Sequence, residues 1–226
     1  MSDKKIAFWF IALLSVLVLV PFLGETIFYS KGEPREAIVA YTMLESGNWI
    51  LPMNYGVEIA YKPPFLYWTI AVISSILGGV SEFSARMPSA LAFLAMQLVF
   101  FSFVAKRKNV KTAFLTSILL LSSFEVHRAA VACRLDMLQV SLIVISLCLL
   151  FRWDEKNCKG VPWLAVLLMA CATLTKGPVG SIFPCLCIGI YQLLRGRSFG
   201  KAFFSLLGIG LLSLIPLGIW FWAAYQ

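Results

Sequence analysis

The sequence predicts an all-α protein: a polytopic transmembrane helix bundle with amphipathic surface helices in a long first external loop. Two observations carry that class. Hydrophobic residues make up 60% of the 226-residue chain and charged residues 13%, against roughly 45–50% and about 25% in soluble domains. The apolar residues also gather in runs that are hydrophobic on every side, which suits a surrounding of lipid better than one of water.

The first run, 6–23, follows the basic start "MSDKK". It is longer than the roughly 7–15 residues of a signal-peptide core and no A-x-A site follows, so it reads as an uncleaved signal anchor. Runs at 88–105, 112–126, 137–151, 162–175, 179–194 and 202–224 predict six further spans. Several are shorter than the roughly 20 residues needed to cross untilted, and their ends are expected to extend into flanking polar residues. The chain stops at "WFWAAYQ", directly after an apolar run, as expected of the amino-terminal portion of something longer.

One apolar piece, 64–79, is ambiguous between crossing and lying on the surface, and the 19 basic residues decide it. With Lys4 and Lys5 inside, a crossing 64–79 leaves only those two, Arg86, Arg128, Arg134 and Lys176 on the inner side, which inverts the positive-inside rule. A surface 64–79 instead puts twelve inside: Lys4 and Lys5, the four of "KRKNVK", Arg152, Lys156 and Lys159, then Arg195, Arg197 and Lys201. That arrangement obeys the rule. It makes 24–87 one external loop and brings every unusual polar cluster to the same face. The net charge of +8 is thereby explained by loops beside anionic lipid, and no nucleic acid is implied. Of the six cysteines, four lie inside apolar runs, and no CxxC spacing appears.

Three clusters on that external face carry candidate chemistry. In "KGEPREA", Glu33 before Pro34 suits a helix start, where its carboxylate would sit near free backbone N–H groups. Ala37, Ile38, Tyr41 and Leu44 continue at helical spacing, predicting a short surface helix. Glu33 and Arg35 read equally as a cap with a solvated ion pair or as site residues. "HRAAVACRLD" places His127, Arg128, Arg134 and Asp136 between apolar runs, where ionisable groups are costly unless they line a cavity. Arg134 and Asp136 could alternatively serve only to neutralise one another. "YKPPF" and "LTKGPVG" each set a lysine, Lys62 and Lys176, beside a proline-fixed backbone, either as snorkelling interfacial cations or as anion-binding groups. Several cations beside one or two carboxylates suit a lipid-linked phosphate. Walker, GxGxxG, HExxH and GxSxG signatures are absent from the sequence.

In order and spacing, "GEPREAIVAYTMLESGNWILPMNYG", "YKPPFLYW", "SEFSARMPSALA", "CRLDM" and "LTKGPVG" resemble the ArnT-like and PMT-like membrane glycosyltransferases of the GT-C superfamily. The resemblance implies a multi-pass protein of the bacterial inner membrane with its active face periplasmic, of which this chain is the amino-terminal transmembrane portion. It also implies inverting transfer of an aminoarabinose-like pentose or a hexose from a polyprenyl-phosphate donor to lipid A or another envelope acceptor. The rivals are a protein O-mannosyltransferase-like enzyme, a polyprenyl-lipid flippase or transporter, and a noncatalytic assembly fragment. On this basis Glu33 and Asp136 are the candidate catalytic carboxylates, and Arg35, Lys62, Arg134 and Lys176 the candidate phosphate-binding cations. Glu58, Tyr61, Arg86, His127 and Arg128 are the candidate supporting residues. The family pattern D-E-x-R has Gly32 at its first acid, and the acid before the KPP lysine is Tyr61. A divalent metal, if one is held, would fall to Glu33, Glu58 or Asp136.

Overall fold

The computed structural model describes residues 3–30 and 32–226, which form ten α-helices and one two-stranded antiparallel ribbon. Helix α1 spans Asp3–Leu19 and stops short of the expected 23, because Pro21 bars Val20 from the helical region. Helix α2 (Gly32–Ser46) and the ribbon β1 (Met53–Asn54) and β2 (Glu58–Ile59) build the first loop. Helix α3 (Phe65–Leu77) starts directly after the two prolines and ends on Gly78, whose φ of 89° is a left-handed cap.

Helix α4 runs Glu82–Arg107, six residues earlier than the apolar run suggested. Ser81 and Ser84 form a reciprocal capping box that starts the helix ahead of Pro88. The run 112–126 is broken: α5 (Val110–Ser122) and α6 (Phe124–Ala130) meet at Ser123, whose extended φ/ψ of −68° and 120° ends one helix and begins the next. Helices α7 (Leu135–Glu155), α8 (Trp163–Lys176), α9 (Val179–Leu194) and α10 (Phe199–Tyr225) complete the bundle. By length and composition α4, α7 and α10 suffice to cross a membrane; α3, α5, α8 and α9 are apolar but shorter.

Helix α7 is central, packing against α4, α8 and α9, while α10 packs on α8 and α9. Helices α2 and α3 dock onto this bundle through small and branched side chains. Ala37, Ala40, Leu66, Ile70 and Ala85 share one buried cluster with Leu138, Leu142 and Ala172. The buried face of α2 comprises Glu33, Glu36, Ala37, Val39, Ala40 and Met43, and Tyr41 of the expected stripe points outward. The α8–α9 turn is equally specific. Gly177 adopts φ 91° and ψ −166°, a glycine-only conformation, and a Cβ on Gly180 would overlap backbone atoms of Ala172 and Thr173.

Candidate functional site

Arg86 organises the end of the bundle where the first loop sits. Its side chain is 1% exposed and its partner Glu33 0%, and every nitrogen of the guanidinium is used. Nε donates to Glu33 Oε1 at 3.0 Å, Nη1 to the carbonyls of Leu23 and Thr26 at 2.7 Å each, and Nη2 to the Ile27 carbonyl at 3.1 Å. The rings of Phe28 and Tyr29 lie 5.3 and 5.8 Å from it, adding cation–π attraction. One α4 residue thus ties down the segment linking α1 to α2.

This arrangement changes the expected place of Glu33. Among the described residues its carboxylate makes no bond to its own helix. Oε1 also accepts the Cys133 N–H at 3.0 Å, and Oε2 accepts the Tyr29 N–H at 3.2 Å. A buried guanidinium demands a buried counter-charge, so Glu33 is drawn inward against Arg86. The neighbouring Cys133 thiol is pushed above the usual thiol range, first by burial and then by the charges of Glu36 and Glu33.

Asp136, Arg134 and Lys176 do come together, from the start of α7 and the end of α8. Lys176 Nζ lies 2.6 Å from Asp136 Oδ1, and Arg134 Nε lies 3.6 Å from Oδ2. All three side chains are 40–45% exposed, so their charges remain accessible from outside. Asp136 and Arg134 border a small recess with Tyr29, Ser30 and Arg128. Arg128 is turned to Glu125 one turn earlier on α6, at 2.7 Å. His127 lies half-buried on the same helix and makes no ion pair among the described residues.

A second recess collects Arg35, Lys62, Tyr61 and Glu58 with Tyr67. Its framing loop is tied at two points: Trp68 Nε1 donates to the Trp49 carbonyl and Trp220 Nε1 to the Ile50 carbonyl, both at 2.7 Å. Tyr61 is 84% exposed and Lys62 half-buried. Arg35 Nη2 donates to Glu36 Oε1 at 2.8 Å, and Glu36 is only 2% exposed. Burial first, then the Glu36 charge, pushes the Tyr67 phenol above its ordinary range.

Glu36 and Tyr67 are the groups the sequence reading missed. Both had signals. Glu36 lies three residues from Glu33 and three before Val39, on the inward face of α2. Tyr67 lies one turn before Ala71 on the buried side of α3. The three carboxylates suggested for a metal do not gather. Glu33 is saturated by donors, Asp136 faces two cations, and Glu58 lies on the exposed ribbon. No group of three His, Cys, Asp or Glu side chains suits a metal among the described residues.

Comparison with known proteins places this geometry. The chain is 34% identical over 174 residues to the undecaprenyl phosphate-alpha-4-amino-4-deoxy-L-arabinose arabinosyl transferase of Shewanella sediminis, covering 75% of this chain and 31% of that protein. It is 28% identical over 218 residues to the second such transferase of Proteus mirabilis, covering 94% of this chain and 38% of that protein. The crystal structures of ArnT from Cupriavidus metallidurans, apo and bound to undecaprenyl phosphate, superpose with a TM-score of 0.82. Identity to them is 24% and 23%, over 99% of this chain and 42% of theirs. The bundle therefore has their membrane fold, and the chain spans about a third of the length of the Shewanella relative. Residues 61–220 match the family described as dolichyl-phosphate-mannose-protein mannosyltransferase, a stretch that includes the KPP lysine, the Arg134–Asp136–Lys176 cluster and α3 through most of α10, and the chain belongs to that family.

Proposed function

We propose that this chain carries the donor-phosphate part of an inverting membrane glycosyltransferase that takes a sugar from a polyprenyl-phosphate donor. The observation that carries the reading is the half-exposed set of Arg134, Asp136 and Lys176, two cations around one carboxylate. In the transfer, an acceptor oxygen forms a bond to the anomeric carbon as the bond from that carbon to the phosphate oxygen breaks. Negative charge grows on the departing lipid phosphate, where Arg134 and Lys176 on one side and Arg35 and Lys62 on the other stabilise it. The acceptor proton, when there is one, passes to Asp136, the one carboxylate of the expected pair that faces outward.

The distribution of basic residues supports an outer, periplasmic position for this end in a bacterial inner membrane, with α2 and α3 lying along the surface. The relatives' names favour an aminoarabinose-like pentose carried on undecaprenyl phosphate, and the lipid A-type acceptor rests on the resemblance of the sequence motifs. The family description favours the second reading, a hexose passed to protein. In the full-length enzyme, Lys62→Ala and Asp136→Ala should each abolish the sugar addition seen by mass in lipid extracts while expression is kept. Retained addition in both variants overturns the assignment. An addition found on protein and absent from lipid selects the second reading.

A further inference from the structure

The other end of α7 holds a third polar cavity, of about 810 Å³, between the end of α7 and the α9–α10 corner. Asp136 and Asp154 lie near opposite ends of α7, roughly 27 Å apart at ~1.5 Å per residue. The cavity therefore opens on the membrane face opposite the transfer site. Asp154 is 8% exposed and forms its floor. Arg197 Nη1 lies 3.3 Å from Asp154 Oδ1 and Gln192 Nε2 donates to the same oxygen at 2.8 Å. Both side chains also donate to Cys158 Sγ.

With the buried carboxylate neutralised, the rim is left cationic. Arg195 is 60% exposed and only 4.0 Å from Asp154 Oδ2, and Lys201 is exposed on the first turn of α10. Glu155, the other acid of the rim, is held by Arg107 at 2.7 Å. The first N–H groups of α10 lack intrahelical acceptors, and the N-cap residue Ser198, which lines the cavity, makes no side-chain cap. Gln192 gives an independent sign of a missing ligand. It is 1% exposed, its amide nitrogen is fixed by Asp154 and Cys158, and its Oε1 is buried without a partner. The cavity thus offers cations and amides to an anion, with one unpaired amide oxygen buried in its Gln192 wall.

We propose that this cavity binds a phosphate group, supplied as the headgroup of an anionic membrane phospholipid. The surroundings favour a lipid over a free phosphate. Leu194 and Phe199, at the two sides of the corner, are 83% and 68% exposed, so hydrocarbon-facing surface adjoins the cationic rim.

The test uses the full-length enzyme and the double variant Arg195→Gln/Lys201→Gln, which leaves the Arg197–Asp154 pair intact. Both are reconstituted in nanodiscs of phosphatidylglycerol or of phosphatidylcholine. The wild type should retain phosphatidylglycerol through delipidation, seen by native mass spectrometry, and melt higher in it than in phosphatidylcholine. The double variant should hold it roughly 30-fold more weakly, as expected for two interfacial cations, and lose the melting difference. Equal retention by the two proteins overturns the site. Inorganic phosphate protecting the detergent-solubilised wild type as well as phosphatidylglycerol does, and failing to protect the variant, overturns the lipid assignment in favour of a soluble anion.

Discussion

The buried Glu33–Arg86 pair predicts a reversal of sign between single and double variants. Arg86→Met leaves a carboxylate at 0% exposure without its counter-charge and strips the Leu23, Thr26 and Ile27 carbonyls of their donor. Losing one partner of such a pair costs about 3–5 kcal/mol. At ~2–4 °C per kcal/mol for a chain of this size, the midpoint should fall by roughly 6–20 °C. Glu33→Gln alone removes the counter-charge but keeps an acceptor for Cys133 N–H, and Arg86 keeps its carbonyls, so a smaller loss of about 1–3 kcal/mol is expected. In the Arg86→Met background, however, the same Glu33→Gln change removes the remaining charge of the pair and should raise stability. Thermal unfolding of the four proteins in one lipid, scored as a double-mutant cycle, measures this. Additive losses would refute the pairing argument. Transfer activity supplies a second check: Glu33→Gln with an unchanged midpoint and no transfer would return Glu33 to a chemical role.

Gly180→Ala should destabilise by about 1–3 kcal/mol and weaken transfer, because opening the α8–α9 turn moves Lys176 from Asp136. Gly200→Ala, where a Cβ meets nothing within 4 Å, should be neutral or slightly stabilising in the same melting assay. The raised Cys133 thiol favours the folded state below the unfolded thiol value of about 8.5, and that contribution is lost as pH rises above it. Between roughly pH 8.5 and 10, Cys133→Ser should flatten the fall of stability by about 1.4 kcal/mol per pH unit, read from unfolding midpoints across that range.

The helices were legible because apolar runs report lipid or core on every side, and the 179–194 helix begins and ends where its run does. Breaks set by single residues were not. Ser123 interrupts an apolar run without a glycine or proline to announce it, and the Ser81 cap outruns Pro88. In the site, Asp136 and Lys176 were expected on one face because each stands at the edge of an apolar run, but the sequence set only Arg134 against Asp136 as a pair, and the Lys176 contact comes from the structure. The partners of Glu33 were illegible for a physical reason. A carboxylate at a helix start looks identical in sequence whether it caps the helix, meets substrate or balances Arg86, which lies 53 residues away. Glu36 drew no reading at all, because its spacing from Glu33 and Val39 does not by itself announce that α2 docks its acidic side.

Asp136 sits between two cations, so the cluster of Arg134, Asp136 and Lys176 carries one net positive charge. On the proposed reading, a donor phosphodiester with one negative charge is balanced there. The spent lipid phosphate, gaining a second, needs a further cation, and on the same reading Lys62 of the second recess supplies it. The carboxylate that helps hold Arg134 and Lys176 in place therefore divides the work: one cluster seats the donor, and the other recess answers the charge that appears only as the carrier leaves.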